Sequence, residues 1–94
     1  MTTIPTFVQD PEARLDYTWD WAPWLARNDD TISSATVFVP DGLTADGAPL
    51  VDEAVVTQKM SGGTLGSSYK VTCQITTDGG RIDERSMYIT ILDR

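Results

Sequence analysis

The sequence predicts an all-β, antiparallel β-sandwich of six or seven short strands. Three observations carry that prediction. Ser68 to Leu92 reads as one β-hairpin: Tyr69, Val71, Cys73 and Ile75 alternate with Lys70, Thr72, Gln74 and Thr76, then Asp78-Gly79-Gly80 turns the chain. In the second run Met87, Ile89 and Ile91 alternate with Ser86, Tyr88 and Thr90. Turn signals recur about every 8–12 residues, the spacing of a sandwich or small barrel. Segments with helical period are almost absent. Two facing sheets give each strand one inward face, which the alternation requires.

Each element follows in order. Met1 to Arg14 has weak periodicity, interrupted by Pro5 and Pro11, with Ile4, Phe7 and Val8 as a small apolar cluster. Two readings stand here: a short edge strand, or an extended arm that lays Ile4 and Phe7 on a neighbouring subunit. Residues 15–94 then form the sandwich. Leu15, Tyr17, Trp19 and Trp21 share one strand face, with Asp16, Thr18 and Asp20 on the other. Each aromatic can bury roughly 150–250 Å², and a domain this small needs its large side chains inside. Pro23 ends the alternation, and Ala22 to Ala26 is expected to form a single helical turn. Trp24 and Leu25 fold back there over one end of the core, with Trp24 the aromatic most open to solvent. Arg27-Asn28-Asp29-Asp30 reads as a polar turn.

Thr31 to Val39 is β-rich, with Ala35, Val37 and Val39 on one face and Phe38 on the other. Pro40-Asp41-Gly42 and Asp46-Gly47-Ala48-Pro49 are turns, and Gly42 to Ala45 between them is a candidate brief edge strand. Ala54 to Met60 returns to strand composition with Val56 and Met60 inward. Gln58 falls on the same inward side, and nothing in the sequence accounts for it. Ser61-Gly62-Gly63-Thr64 opens a flexible loop.

Composition narrows the function. The chain has 94 residues, one cysteine, no histidine and a formal net charge of -7. Clustered Lys and Arg, the requirement for nucleic-acid phosphates or anionic lipid, are missing. The commonest general base and commonest metal ligand are missing with histidine. Cys73 lies on an apolar strand face, as a small buried hydrophobe would. The pairs Asp29-Asp30, Asp52-Glu53 and Asp83-Glu84 lack the spacing of a calcium loop and read as solvated turns. No cofactor, metal site or catalytic residue is expected, and no signal peptide or membrane span.

Leu65 to Cys73 resembles the corner entering strand F of immunoglobulin-like and fibronectin type III-like sandwiches. The resemblance implies that Tyr69 packs at the sheet corner with its hydroxyl bonded to backbone upstream, and that Asp78-Gly79-Gly80 is the F–G turn. A closer similarity spans about Asp10 to Leu92. Leu15-Asp16-Tyr17, Asp20-Trp21, Trp24-Leu25, Asp30-Thr31-Ile32 and Val39-Pro40-Asp41-Gly42 resemble, in order and spacing, small tailed-phage virion proteins described as fibre–tail adaptors. Ser61 to Gly66, Ile75 to Arg81 and Asp83 to Ser86 continue the match.

That resemblance implies an Ig-like module joining virion parts, made in the host cytoplasm and working through protein–protein contacts with other virion proteins and with copies of itself. The alternative is a capsid decoration protein or glycan-binding module in which Trp24 and Trp19 form a sugar platform. Arg81, Asp83 and Arg85 share one face of the last strand and alternate in sign, either as an exposed ladder of cross-strand pairs or as a polar docking edge. The candidate interface residues are therefore Ile4, Phe7, Trp24, Arg81, Asp83 and Arg85.

Overall fold

A computed structural model describes residues 5–93. Eight strands and one helix follow in order: β1 (Thr6–Gln9), β2 (Arg14–Asp20), α1 (Ala22–Asn28), β3 (Ile32–Phe38), β4 (Leu43–Ala45), β5 (Leu50–Asp52), β6 (Val55–Gly62), β7 (Ser68–Thr77) and β8 (Ile82–Ile91). They form two facing sheets, β1-β8-β7-β3 and β2-β6-β4, with β5 also paired to β6. The pairings are antiparallel except β1 to β8, which is parallel. The expected six or seven strands become eight because the turn through Gly47 and Pro49 separates two three-residue strands on one edge of β6.

The hairpin of β7 and β8 is the spine of the first sheet. Val71, Cys73 and Ile75 on β7 and Met87, Ile89 and Ile91 on β8 are buried. Burying a large apolar side chain stabilises by about 1.5–3 kcal/mol. Outer-face pairs such as Thr72–Ser86 (2.9 Å) and Ser68–Thr90 (2.8 Å) contribute about 0.2–1 kcal/mol each. The inner face therefore sets the register. From the second sheet Tyr17, Trp19, Val56 and Met60 close the core, joined by Trp21 and Leu25 from the helical end.

Three local features explain how the chain holds this shape. The Thr64 backbone N–H donates to the Tyr69 hydroxyl at 2.9 Å, the corner bond that the resemblance implied, although Leu65 itself is exposed. Thr64 also holds the Tyr69 phenol below its ordinary pKa. A Cβ on Gly63 (φ +98°) would lie 2.5 Å from Ile91 Cγ1, so the chain passes this point only as glycine. Ser61 and Gly62 belong to β6 and pair with Arg14 and Leu43, so the expected loop starts only at Gly63. The inward Gln58 is satisfied: its Nε2 donates to Gly47 O and Lys59 O, both at 3.0 Å. It fastens the turn between β4 and β5 onto β6, which a buried apolar residue would not do.

The helix is longer than the single turn expected. Pro23 sits in its first turn, where a missing N–H costs nothing. The chain leaves at Asp29 in the left-handed region (φ 49°), with the Asp29 N–H donating to Ala26 O and the Asp30 N–H to Leu25 O. Arg27 and Asn28, expected in a turn, are helical. Leu25 is buried and Trp24 half-buried, its ring edge-on to Trp21 at 5.9 Å.

Candidate functional site

The two sheets meet differently on their two flanks. On one flank β3 lies against β5. On the other, β1 and β2 are both edge strands, and an open cleft of about 800 Å³ runs between them. Its walls include Pro5 and Phe7 from the β1 side, Thr18, Trp19 and Asp20 from β2, and Asp83, Arg85 and Met87 from β8. A second groove continues along Leu15 and Asp16 and shares Phe7 and Thr18 with the first.

Phe7 stands at the centre of this surface. It is 41% exposed and meets Tyr17 edge-on at 5.6 Å. Its position depends on Gln9, which is fully buried. Gln9 Oε1 accepts the Tyr17 hydroxyl at 2.8 Å, and Gln9 Nε2 donates to Gly62 O at 3.1 Å. One side chain from the first sheet thereby clips the edge strand to β2 and β6 of the second. Sequence reading missed it, because an isolated Gln two residues before Pro11 carries no periodic signal.

Arg85 forms the other end of the cleft. Its register partner is Cys73, and that of Asp83 is Ile75. Both therefore lie on the core-facing side of β8, beyond the point where the second sheet covers it. The Arg85 guanidinium lies over the Trp21 ring at 4.3 Å and donates to Asp20 O at 3.1 Å. A cation on an indole face is worth about 0.5–2 kcal/mol, and the stem covers apolar surface. The reading of Arg81, Asp83 and Arg85 as an exposed ladder on one strand face is thus corrected. Arg81 precedes β8 altogether, and Arg85 bridges the two sheets.

Arg81 belongs to a different cluster. Its guanidinium meets Asp30 Oδ2 at 2.8 Å. Asp30 Oδ1 accepts the N–H groups of Thr31 (2.9 Å) and Gly79 (3.0 Å), and the Thr31 hydroxyl bonds to Asp78. The Asp30 side chain is only 4% exposed. The Thr77 hydroxyl, with Thr31, Arg81 and Gly79, holds its carboxyl down to about 2. This corrects the reading of Asp29-Asp30 as a solvated turn: Asp30 locks the exit of α1 onto the β7–β8 turn.

Of the candidate interface residues, the structure brings Phe7, Asp83 and Arg85 to one cleft. Trp24 adjoins it through Trp21, Arg81 stands apart, and Ile4 lies outside the described residues. Trp19 is 5% exposed, so it cannot pair with Trp24 as a sugar platform. The indole N–H groups of Trp19 and Trp21 are buried without an ordinary hydrogen-bond partner among the described residues, the Trp21 ring lying beside Cys73. Burial pushes the Cys73 thiol up to about 11, the behaviour of a packing residue and not of a nucleophile. Among the described residues no three His, Cys, Asp or Glu side chains cluster to hold a metal ion, and no helix is long and apolar enough to cross a membrane.

Comparison with known proteins bears on both fold and role. The solution structure of the PKD domain from KIAA 1837 protein is similar, with a TM-score of 0.58 at 16% identity, over 99% of this chain and 83% of that one. That likeness shows an Ig-like sandwich and nothing about activity. No curated protein matches the chain. The model of the podophage GP4 fiber-tail adaptor protein gp77 family matches residues 9–90, from the buried Gln9 to Thr90, one residue before the end of β8. The chain belongs to the podophage fibre–tail adaptor family gp77.

Proposed function

We propose that the chain is a structural joint of a tailed-phage virion, an adaptor that links tail components through protein–protein contacts and catalyses no reaction. The observation that carries this reading is the family match over residues 9–90. The flank bearing Phe7, Asp83 and Arg85 is its joining surface, with Trp24 at the margin. There an exposed aromatic, an acidic wall and an oriented guanidinium converge on an open cleft, the mixture of aromatic and Arg anchors that protein interfaces favour. Within residues 1–14, β1 is the edge strand that presents Phe7 to the joint, and it pairs with β8 in the sandwich built mainly from residues 15–94. Several copies work together in the particle, since repeated small domains close into rings through heterologous contacts. The chain is made in the host cytoplasm, where its single free thiol needs no oxidising partner.

The test uses particles assembled with variant chains and mass spectrometry of the purified virions. Phe7→Asp and Arg85→Glu chains, shown to be folded in isolation, should be absent from particles or strongly depleted. A Phe38→Asp chain, altered on the opposite flank, should be incorporated normally. Wild-type chain missing from virions would overturn the adaptor reading, and normal incorporation of both cleft variants would overturn the assignment of the surface.

A further inference from the structure

The cleft has a backbone feature that side chains alone do not show. Paired antiparallel strands alternate between residues whose N–H and C=O face the partner and residues whose groups face away. The Trp21 N–H donates to Ala54 O at 2.9 Å, continuing the register that pairs Asp20 with Val55 and Trp19 with Val56. Trp21, Trp19 and Leu15 therefore turn their backbone toward β6. Asp16, Thr18 and Asp20 turn theirs toward the cleft. An independent contact agrees: Arg85 reaches across from the other sheet to Asp20 O. Among the described residues no strand pairs with this edge of β2, so the N–H and C=O of Asp16 and Thr18 line the groove as open ladder positions, beside Phe7 and Leu15.

We infer that the free edge of β2 takes an extended segment of another virion protein by strand addition, and that this segment alternates apolar with basic side chains. Its main chain pairs with Asp16 and Thr18 as a new edge of the second sheet. Side chains on its inner face enter the cleft against Phe7, Trp19 and Met87. Side chains on its outer face stand across from Asp16 and Asp20, where opposite charges stabilise and like charges oppose pairing. Asp83 and Glu84 on the far wall add to the same field, while the one guanidinium, Arg85, is engaged with Trp21 and Asp20. A second copy of this chain is a poor occupant. It brings a net charge of -7 to an acidic wall, and residues 1–9 contain no Lys or Arg.

This inference deepens the adaptor reading and rests on its joining surface, yet it is testable on the isolated full chain. The probe is the peptide Lys-Val-Lys-Val-Lys-Val-Lys, acetylated and amidated. Two comparators are its Glu-for-Lys counterpart and a block-shuffled peptide with all Lys first. Titration into ¹⁵N-labelled chain should shift the Asp16 and Thr18 amides and slow their hydrogen exchange by about tenfold or more. The Glu peptide should leave them unmoved, and the shuffled peptide should bind about tenfold more weakly or worse. Thr18→Pro removes an N–H that faces the groove and not β6, so the sheet survives while binding is lost. If that variant fails to fold, the doubly reversed Asp16→Lys, Asp20→Lys chain serves instead and should prefer the Glu peptide.

Shifts that map to β3, equal binding of the shuffled peptide, or spontaneous self-association at the β2 edge would each overturn the inference. A chain that binds the probe but is missing from virions would instead overturn the adaptor reading and leave the edge pairing standing.

Discussion

Replacing Gln9 by Met keeps the volume of a fully buried side chain and removes both of its polar ends. Two bonds disappear: the Tyr17 hydroxyl to Oε1 at 2.8 Å, and Nε2 to Gly62 O at 3.1 Å. Each intramolecular hydrogen bond is worth about 1 kcal/mol net, and a buried acceptor left without its donor costs about 1–3 kcal/mol. The expected loss is about 2 kcal/mol, against a total stability of about 5–15 kcal/mol for a native domain. The variant should therefore fold but melt about 8–16 °C lower, since each kcal/mol moves Tm by about 4–8 °C at this size. Urea unfolding followed by tryptophan fluorescence measures the free energy, because Trp19 and Trp21 are core residues. Tyr17→Phe completes a double-mutant cycle. The double variant should be destabilised by about 1 kcal/mol less than the sum of the singles, since the Tyr17–Gln9 bond is then lost only once. A Gln9→Met chain within about 0.5 kcal/mol of wild type, together with an additive cycle, would refute the polar clip.

Three further outcomes are expected. The folded-state carboxyl of Asp30 titrates near 2, below its ordinary 3.8, so its contribution is present above about pH 4 and fades as pH falls toward 2. Asp30→Asn should flatten that stretch of the stability-versus-pH curve, measured by urea midpoints, and should raise hydrogen exchange at Gly79. Gly63→Ala forces a Cβ to 2.5 Å from Ile91 at φ +98° and should cost more than about 3 kcal/mol or prevent folding. Gly66→Ala, at φ +87° with nothing near its Cβ, should cost only about 1 kcal/mol, and equal midpoints for the two would remove the packing argument. The Cys73 thiol, buried and raised to about 11, should resist a thiol-specific reagent at pH 8 in the native chain and react at once in denaturant. Rapid native labelling would show that the β7–β8 core opens.

The sequence disclosed what repeats and hid what acts once over a long separation. Val71, Cys73, Ile75, Met87, Ile89 and Ile91 declare a buried face through strict period two, and all six are buried. Tyr69 was legible as a corner because a family pattern places a hydroxyl bond there, and Thr64 supplies it. Gln9, Asp30 and Arg85 were illegible in role. Each meets partners about 50 or more residues away (Gln9 with Gly62, Asp30 with Arg81, Arg85 with Asp20), and no local pattern reports such a meeting. Arg85 shows the physical reason most plainly. Alternation places it on the inner face with Met87 and Ile89, yet its charge argues for the outside. The structure satisfies both by setting it where the second sheet stops, so its stem follows the core face and its guanidinium rests on Trp21. Half of the candidate interface residues met at one cleft because that cleft is where a core-facing position can carry charge.

The same cleft leaves an acidic sandwich with an open strand edge that has to avoid pairing with its own copies. An exposed strand edge is a template for pairing with any other edge, and proteins guard such edges with charge. On β2 the guards are Arg14, Asp16 and Asp20, and Arg14 is itself paired with Asp46 at 3.0 Å. What remains facing outward is carboxylate. Two such edges on separate copies repel one another, and the chain's net charge of -7 reinforces the repulsion. The charge that prevents self-pairing is also a filter: a segment that carries cations at alternate positions meets attraction where every other edge meets repulsion. The Asp16 and Thr18 ladder positions face the open groove, so a segment that occupies them must bond to those backbone groups and also bury apolar surface against Phe7 and Met87. Resistance to self-pairing and selectivity for a basic segment then follow from the same two aspartates, which is why reversing both should change the chosen partner and not merely weaken binding.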